Sequence, residues 1–496
     1  MKKTNIDLIP THVNPSPDYY CTWQTQLYAT SDGKPPAQRA VLGEHALFAE
    51  EKPFGWAYFY EKARNDLFFV MDDSWDVSPA GEKDAFGSLI LDAEKFPEAT
   101  TGAQTNGEAL LRLSERIRAL GWKGLGGWVC AQKAPRFADI PDEDYWKQRL
   151  SEADASGFSY WKVDWGKRGT DAAFRRMLTE LGRQYAPNLV MEHAMVKEVL
   201  PDVDVFRTYD VPALMSIPMT LSKLCAFADI TRGDGNTMSL LNCEDEVYIA
   251  AAGGFSMGVM RHPYAGAFLN GRADMSFPAV HRNIKTKMYE VLRAVRWHRI
   301  APAFPFDGAS LCIDKRRLRD TFRFEKREEE LEAWWADAPI LRDAWTADGI
   351  SVSAPARIAR GCALPPIVPN EEGDMPYVIA SRNPNGAYAV ATLGRTKARR
   401  YAIPKCDISL AIENADTIGV FGQYKKLTLE TDGTNVTSVL MQDLAGDFAY
   451  DVTAHVRMEE KRVEIPGEWI ERIGTAEQPE GDTSEPGVLI RLIKKR

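Results

Sequence analysis

Two acids in this chain have the surroundings that bond-breaking chemistry needs. Asp164 follows Phe158-Ser159-Tyr160-Trp161-Lys162-Val163, a run of aromatic and β-branched residues that predicts a short strand running into a loop at Trp165-Gly166. Lys162, two residues back, shares its side of that strand, and an ammonium there favours the ionised carboxylate. Taken alone, a strand-end Asp more often bonds its own loop; held charged between tryptophans, it can attack a carbon. Asp210 ends a second run, Phe206-Arg207-Thr208-Tyr209, just before a segment opening at Pro212. From there it can cycle a proton as general acid and base. Two carboxylates about 5–5.5 Å apart suit double displacement at an anomeric carbon, whereas about 6.5–9.5 Å would admit water and invert the centre.

The elements that must position these acids come as alternating apolar strands and amphipathic helices between about residues 19 and 300. Tyr19–Gln26 is the first expected strand and Glu44–Ala63 an aromatic-rich helix. Leu67–Met71 is a buried strand ending in Asp72-Asp73-Ser74-Trp75. Helices are expected at 106–120, 142–156, 170–185, 212–228 and 284–297, and strands at 124–129, 189–192, 203–206, 238–241 and 255–260. About eight such units predict an α/β fold, a (β/α)8 TIM barrel, and the lack of a Gly-rich phosphate loop argues against a doubly wound sheet. Barrel strands end on one face. Five strand ends here carry ionisable residues: Asp72-Asp73, Lys162 with Asp164, Glu192, Arg207 and Asp210.

Beyond the barrel (1–302), residues 303–376 read as an irregular connection. Residues 377–496 read as a C-terminal antiparallel β-sandwich, with hairpin signals at Asn385-Gly386 and Asp432-Gly433. Asp72-Asp73 can accept sugar hydroxyls, and Trp75, Trp128 and Trp165 can offer apolar faces to a pyranose ring.

Four segments, Val70-Met71-Asp72-Asp73-Ser74-Trp75, Tyr160-Trp161-Lys162-Val163-Asp164, Met191-Glu192-His193 and Phe206-Arg207-Thr208-Tyr209-Asp210-Val211, together resemble the α-galactosidase clan of retaining glycoside hydrolases. That resemblance implies Asp164 as nucleophile and Asp210 as acid/base. It further implies Asp72 and Asp73 on the sugar's O4 and O6 hydroxyls, Lys162 on O3 and O4, and Arg207 with Glu192 near O2. Two departures stand out. Arg207 and Asp210 are closer in sequence than in much of the clan, and His193 occupies a place near O2 where secreted members carry an aromatic or small residue. The implied partner is a small oligosaccharide or glycoside, and the resemblance calls for no cofactor. The glycone and any homo-oligomer stay open.

Competing chemistries have weaker signals. Gly254-Phe255-Ser256-Met257-Gly258 matches the spacing of a serine-hydrolase elbow, but the segment before it reads as helix rather than strand. A metal-dependent sugar isomerase or hydrolase could hold Mg2+ or Mn2+ on Asp72, Asp73 and Glu192, yet no His-x-His or His-x-x-x-His spacing occurs. A sugar-binding protein without turnover would need neither Asp164 nor Asp210. The 496 residues hold 61 basic and 70 acidic side chains, a net charge of −9 that disfavours a nucleic-acid partner. Seven dispersed cysteines, no signal core and no long apolar run predict a cytoplasmic protein without membrane contact.

Overall fold

The computed structural model describes residues 2–29, 37–51, 55–81, 85–208, 215–231, 238–260, 287–323, 345–346, 349–398, 400–433 and 436–495. Eight short parallel strands are β1 (Tyr19–Cys21), β2 (Phe68–Met71), β3 (Gly124–Val129), β4 (Phe158–Val163), β5 (Val190–His193), β6 (Val205–Arg207), β7 (Leu240–Asn242) and β8 (Gly258–Val259). They pair in sequence order from β1 to β7, while β8 pairs with β1 and a bridge from Ser256 to Asn242 closes the ring. This is the expected barrel.

Side-chain alternation divides each strand between two environments. Outward residues such as Phe69, Trp161, Met191, Phe206 and Leu241 join the large core under the helices. Inward ones, among them Tyr19, Cys21, Phe68, Val70 and Tyr160, form a smaller cluster inside the barrel. Strand β3 runs close to its neighbours because it carries glycines: a Cβ on Gly126 would lie 2.5 Å from that of Tyr160.

The covering helices include α1 (Trp23–Ala29), α2 (Asn106–Ala119), α3 (Asp142–Ala155), α4 (Ala172–Tyr185), α5 (Ser216–Thr231), α6 (Val247–Gly253) and α7 (Met288–Ile300). Thr105 and Asp171 cap α2 and α4 through the amides of Glu108 and Phe174. Between β5 and β6 only a 3-10 turn, Lys197–Val199, intervenes.

Three expectations change. The first strand stops at Cys21 and the chain enters α1 at Trp23, because Thr22 turns back to hold Val70 O and Asp72 N. The helix expected over 44–63 is a single turn, Glu44–Phe48, followed by the 3-10 turn Trp56–Tyr58. Pro53 cannot continue a helix, and Gly55 packs where a Cβ would meet Leu47 O at 2.3 Å. The described part of 303–376 is not irregular: it carries strands Leu311–Ile313, Arg317–Arg323, Gly349–Pro355 and Arg357–Arg360.

Two sheets form the C-terminal sandwich. A nine-stranded sheet runs from Leu311–Ile313 at one edge to Lys2–Lys3 at the other, so the chain's first residues complete its last domain. A five-stranded sheet, with the helix Gly467–Gly474, covers one face, and Val390, Ile418, Leu427, Val439, Ile465 and Ile490 fill the core between. Pairing is mostly antiparallel, with three parallel pairs among the described strands. Gly386 lies at φ 92° in the turn between two hairpin partners, as Asn385-Gly386 predicts. Asp432-Gly433 also turns, but it joins Lys426–Glu430 in one sheet to Val436–Asp443 in the other and makes no hairpin.

Helices α6 and α7 seat this sandwich on the barrel. Tyr248 and Trp297 pack on Phe421, and Arg293 pairs with Asp443 at 2.9 Å inside the contact. Arg360 crosses the seam to the carbonyls of Gly253, Gly254, Phe304 and Pro305, with its guanidinium 3.6 Å from the Phe304 ring centre. All seven cysteines are free thiols. Among the described residues no helix is long and apolar enough to cross a membrane.

Candidate active site

Strand β4 delivers Asp164 to the C-terminal end of the barrel. Tyr160, Lys162 and Asp164 alternate onto the inner side, while Trp161 and Val163 face the helices. The backbone around Asp164 is clamped from two directions. Its amide donates to Val129 O, and its carbonyl accepts from Arg175 of α4 at 2.8 Å. At Gly166 the next loop passes so close to Ala131 that a Cβ would lie 2.7 Å from its backbone.

Each oxygen of the Asp164 carboxylate has one partner. Oδ1 faces Arg207 Nη2 at 2.9 Å as an ion pair, and Oδ2 accepts from Trp128 Nε1 at 3.0 Å. Burial alone would raise the pKa of this acid, but Arg207, Lys162 and the indole N–H outweigh it and hold the carboxyl below its ordinary range. Asp164 is thus an ionised carboxylate, 8% exposed, at the inner end of a barrel strand.

Around it lie four further charged groups. Lys162 Nζ pairs with Asp72 Oδ2 at 2.7 Å, and the charge of Asp72 overcomes burial to raise the lysine's pKa. The same oxygen accepts from Cys21 Sγ at 2.8 Å; burial, then Asp72, keeps that thiol protonated. Arg39 grips both oxygens of Asp73 at 3.1–3.2 Å. Burial still lifts the Asp73 pKa to about 7 against the pull of that guanidinium. Arg39 also lies over the rings of Phe86 and Trp165, which pack on Trp128.

Among the described residues Arg207, at the end of β6, serves three carboxylates: Asp164 at 2.9 Å, Glu244 at 3.5 Å and Glu192 at 3.7 Å. Glu192 in turn accepts from Tyr19, Tyr160 and Asn242.

Asp72, Asp73, Trp128, Lys162, Asp164, Trp165, Glu192 and Arg207 are therefore brought together at one end of the barrel. Two residues expected with them face elsewhere. His193 follows Glu192 on a strand, so it points to the opposite side, into the layer under α4. Arg175, which can only donate, bonds Nδ1 at 3.1 Å, and Nε2 meets Thr179 Oγ1 at 2.9 Å. Burial, reinforced by the Arg175 charge, pushes its pKa well down and keeps the ring neutral. Trp75 lies 1% exposed in the outer core against Phe158, with its N–H on Trp128 O. Neither ring offers a face to a sugar. Asp210 lies outside the described residues.

Sequence reasoning passed over Cys21, Arg39 and Glu244. Glu244 had a readable signal, because Asn242-Cys243-Glu244-Asp245-Glu246 stacks acids at the end of β7 just as Asp72-Asp73 does for β2. Cys21 ends β1 but looks like an apolar strand residue. Arg39 had none, since it reaches the site from a short helix, Ala37–Ala40, outside the β-then-α pattern.

The serine-elbow spacing makes no elbow: helix α6 precedes it, Ser256 is buried, and its hydroxyl donates to Leu241 O. Among the described residues no group of three His, Cys, Asp or Glu side chains is arranged to hold a metal ion. A cavity of about 670 Å3, lined by Asp76, Val77, Leu91, Ala134 and Arg136, opens between the loops after β2 and β3. Val77 packs on Phe86, Trp128 and Trp165, so this cavity lies beyond that aromatic wall from Asp164.

No family model and no curated protein matches the chain. Its likenesses are structural. A GH27 β-L-arabinopyranosidase of Geobacillus stearothermophilus matches at 10% identity and a TM-score of 0.34, over 68% of this chain and 93% of the other. α-Galactosidase I of Mortierella vinacea matches at 10% identity and 0.39, over 98% of each chain. An α-galactosidase of Saccharomyces cerevisiae matches at 8% and 0.39, over 97% of this chain and 95% of that one. At such identities the chemistry must be read from this chain's own side chains.

Proposed function

We propose that this chain is a retaining, exo-acting α-glycosidase, with α-linked galactose or a related axial-O4 sugar as its glycone. The observation that carries the reading is the state of Asp164: a nearly buried carboxylate, kept ionised by Arg207 and Lys162, aimed at the end of a barrel where strand termini converge. The four ordered segments shared with the α-galactosidase clan support the same assignment.

In the proposed course Asp164 attacks the anomeric carbon while protonated Asp210 donates to the leaving oxygen, giving a covalent glycosyl-enzyme. Asp210 then takes a proton from the water that hydrolyses it. Its position just past the end of β6, within the last of the four ordered segments, supports this role. Arg207 and Lys162 stabilise the nucleophile's charge before attack. Asp72 and Asp73, fixed by Lys162 and Arg39, are acceptors for glycone hydroxyls. Trp165, partly exposed beside Trp128, offers an apolar surface to the ring.

A panel of 4-nitrophenyl α- and β-glycosides, with NMR of the first-formed product anomer, tests the proposal. Turnover of an α-galactoside-type substrate with initial release of the α-anomer is expected. Initial release of the β-anomer would replace retention by inversion. Glycoside turnover lost to EDTA and restored by a divalent cation would favour a metal-dependent hydrolase, and binding without turnover would favour a lectin.

A further inference from the structure

Resting on the glycosidase reading, we infer that Glu192 is a positioning residue that holds Arg207 against Asp164, rather than a ligand for the sugar. Its carboxylate is 0% exposed, and both oxygens are taken. Oε1 accepts from Tyr19 at 3.1 Å, and Oε2 accepts from Tyr160 at 2.8 Å and from Asn242 at 2.6 Å. With Arg207 Nε facing Oε1 at 3.7 Å, the four partners come from β1, β4, β7 and β6. One side chain on β5 thus ties together strands from around the barrel, below the level of Asp164. A sugar hydroxyl near O2 would have to displace one of those donors to reach it.

The arrangement acts as a lever. Arg207 presents Nε to Glu192 and Nη2 to Asp164, two nitrogens along one edge of a rigid guanidinium plane, so holding Nε also holds Nη2. The tyrosines are held protonated, chiefly by burial and then by the Glu192 charge, so they donate without neutralising it. Glu244 pairs with the remaining terminal nitrogen, Nη1, at 3.5 Å. Removing the Glu192 charge releases Nε, and the ion pair that keeps Asp164 ionised slackens.

Glu192→Gln and Tyr160→Phe test this, assayed on 4-nitrophenyl α-galactoside and on its 2-deoxy analogue, which has no O2 hydroxyl. A positioning role predicts that Glu192→Gln lowers kcat on both substrates alike, by ~10- to 100-fold as for a small misplacement of reacting groups. It also predicts an acid limb moved to higher pH, because Asp164 loses part of its stabilisation. Tyr160→Phe, which spares every charge, should shift both in the same direction by less. A loss seen in KM for the parent glycoside alone, and absent with the 2-deoxy analogue, would overturn the inference and make Glu192 a sugar ligand. A crystal structure of Glu192→Gln reads the lever without turnover: Arg207 Nη2 should leave the Asp164 carboxylate. If it stays, the inference fails even in an active enzyme. If the wild-type protein turns over no glycoside, the glycosidase reading fails and the crystal structure alone decides the lever.

Discussion

The two ends of the barrel use buried carboxylates in opposite ways. At the N-terminal end, Asp66 accepts from Asn14 N and three times from Arg299, and Asp18 accepts from Asn14, Met257 N and His298. Asp66 takes two donors on each oxygen, and Asp18 takes two on one oxygen and one on the other, all at 2.6–3.1 Å. At the C-terminal end Asp164 has one ion pair and one indole N–H, and Arg207 is divided among three acids at 2.9, 3.5 and 3.7 Å. A fully satisfied acid is a fastener. An acid kept charged with lone pairs to spare can still react, and that difference separates architecture from chemistry within one barrel.

The largest effect that sharpens this contrast is expected at Asp164. Asp164→Asn should cut turnover by about four orders of magnitude or more in protein that remains folded, as loss of a covalent nucleophile does. Asp66→Asn should do the reverse. Breaking its buried pair with Arg299 should cost about 3–5 kcal/mol in urea denaturation, with kcat of the folded protein kept. If Asp66→Asn abolished kcat in fully folded protein, the division between the ends would break.

The next effect is on pH dependence. The Asp164 pKa is held down in the folded protein, so the proposed activity should persist well into acid and fail only as pH drops through that lowered value. Arg207→Gln removes the main charge opposing burial, and the acid limb of kcat/KM should rise by about one pH unit or more. Asp73 behaves oppositely. Burial lifts its pKa to about 7, so the folded state binds a proton that the unfolded state has already released between roughly pH 4 and 7. Its contribution to stability therefore falls as pH rises through that window. The slope of midpoint against pH should flatten in Asp73→Asn. The smallest effect is expected at His193: His193→Gln should leave the ratio of kcat/KM between two glycones unchanged, because the ring faces α4.

Strand ends were the legible part of this chain. Short β-branched or aromatic runs that stop at a charge mark β2, β4, β5 and β6, because the alternation of a strand and the chemistry of its last residue are both local. The same alternation sets Glu192 and His193 on opposite faces, a distinction the bare Met-Glu-His run hides only while its strand is undrawn. Trp75 shows the limit of composition: an indole next to two acids looks like a sugar platform, yet the glycine at 127 leaves space for it to drop into the core beside Phe158. Arg39 was not legible at all, since its pairing with Asp73 spans 34 positions and arises from tertiary folding alone. The strands within 303–376 were hidden for a related reason, because they pair across long gaps in the chain, Arg317–Arg323 with Gly349–Pro355 and Leu311–Ile313 with Arg357–Arg360.

The most direct test is to trap the glycosyl-enzyme. The protein, incubated with 5-fluoro-α-galactosyl fluoride, would be digested and its peptides mapped by mass spectrometry. A single sugar adduct on the carboxylate of Asp164, formed as activity disappears, is the expected result. A label on any other residue, or steady turnover of the reagent's parent glycoside with no adduct and an inverted product, would contradict the assignment of Asp164 as nucleophile.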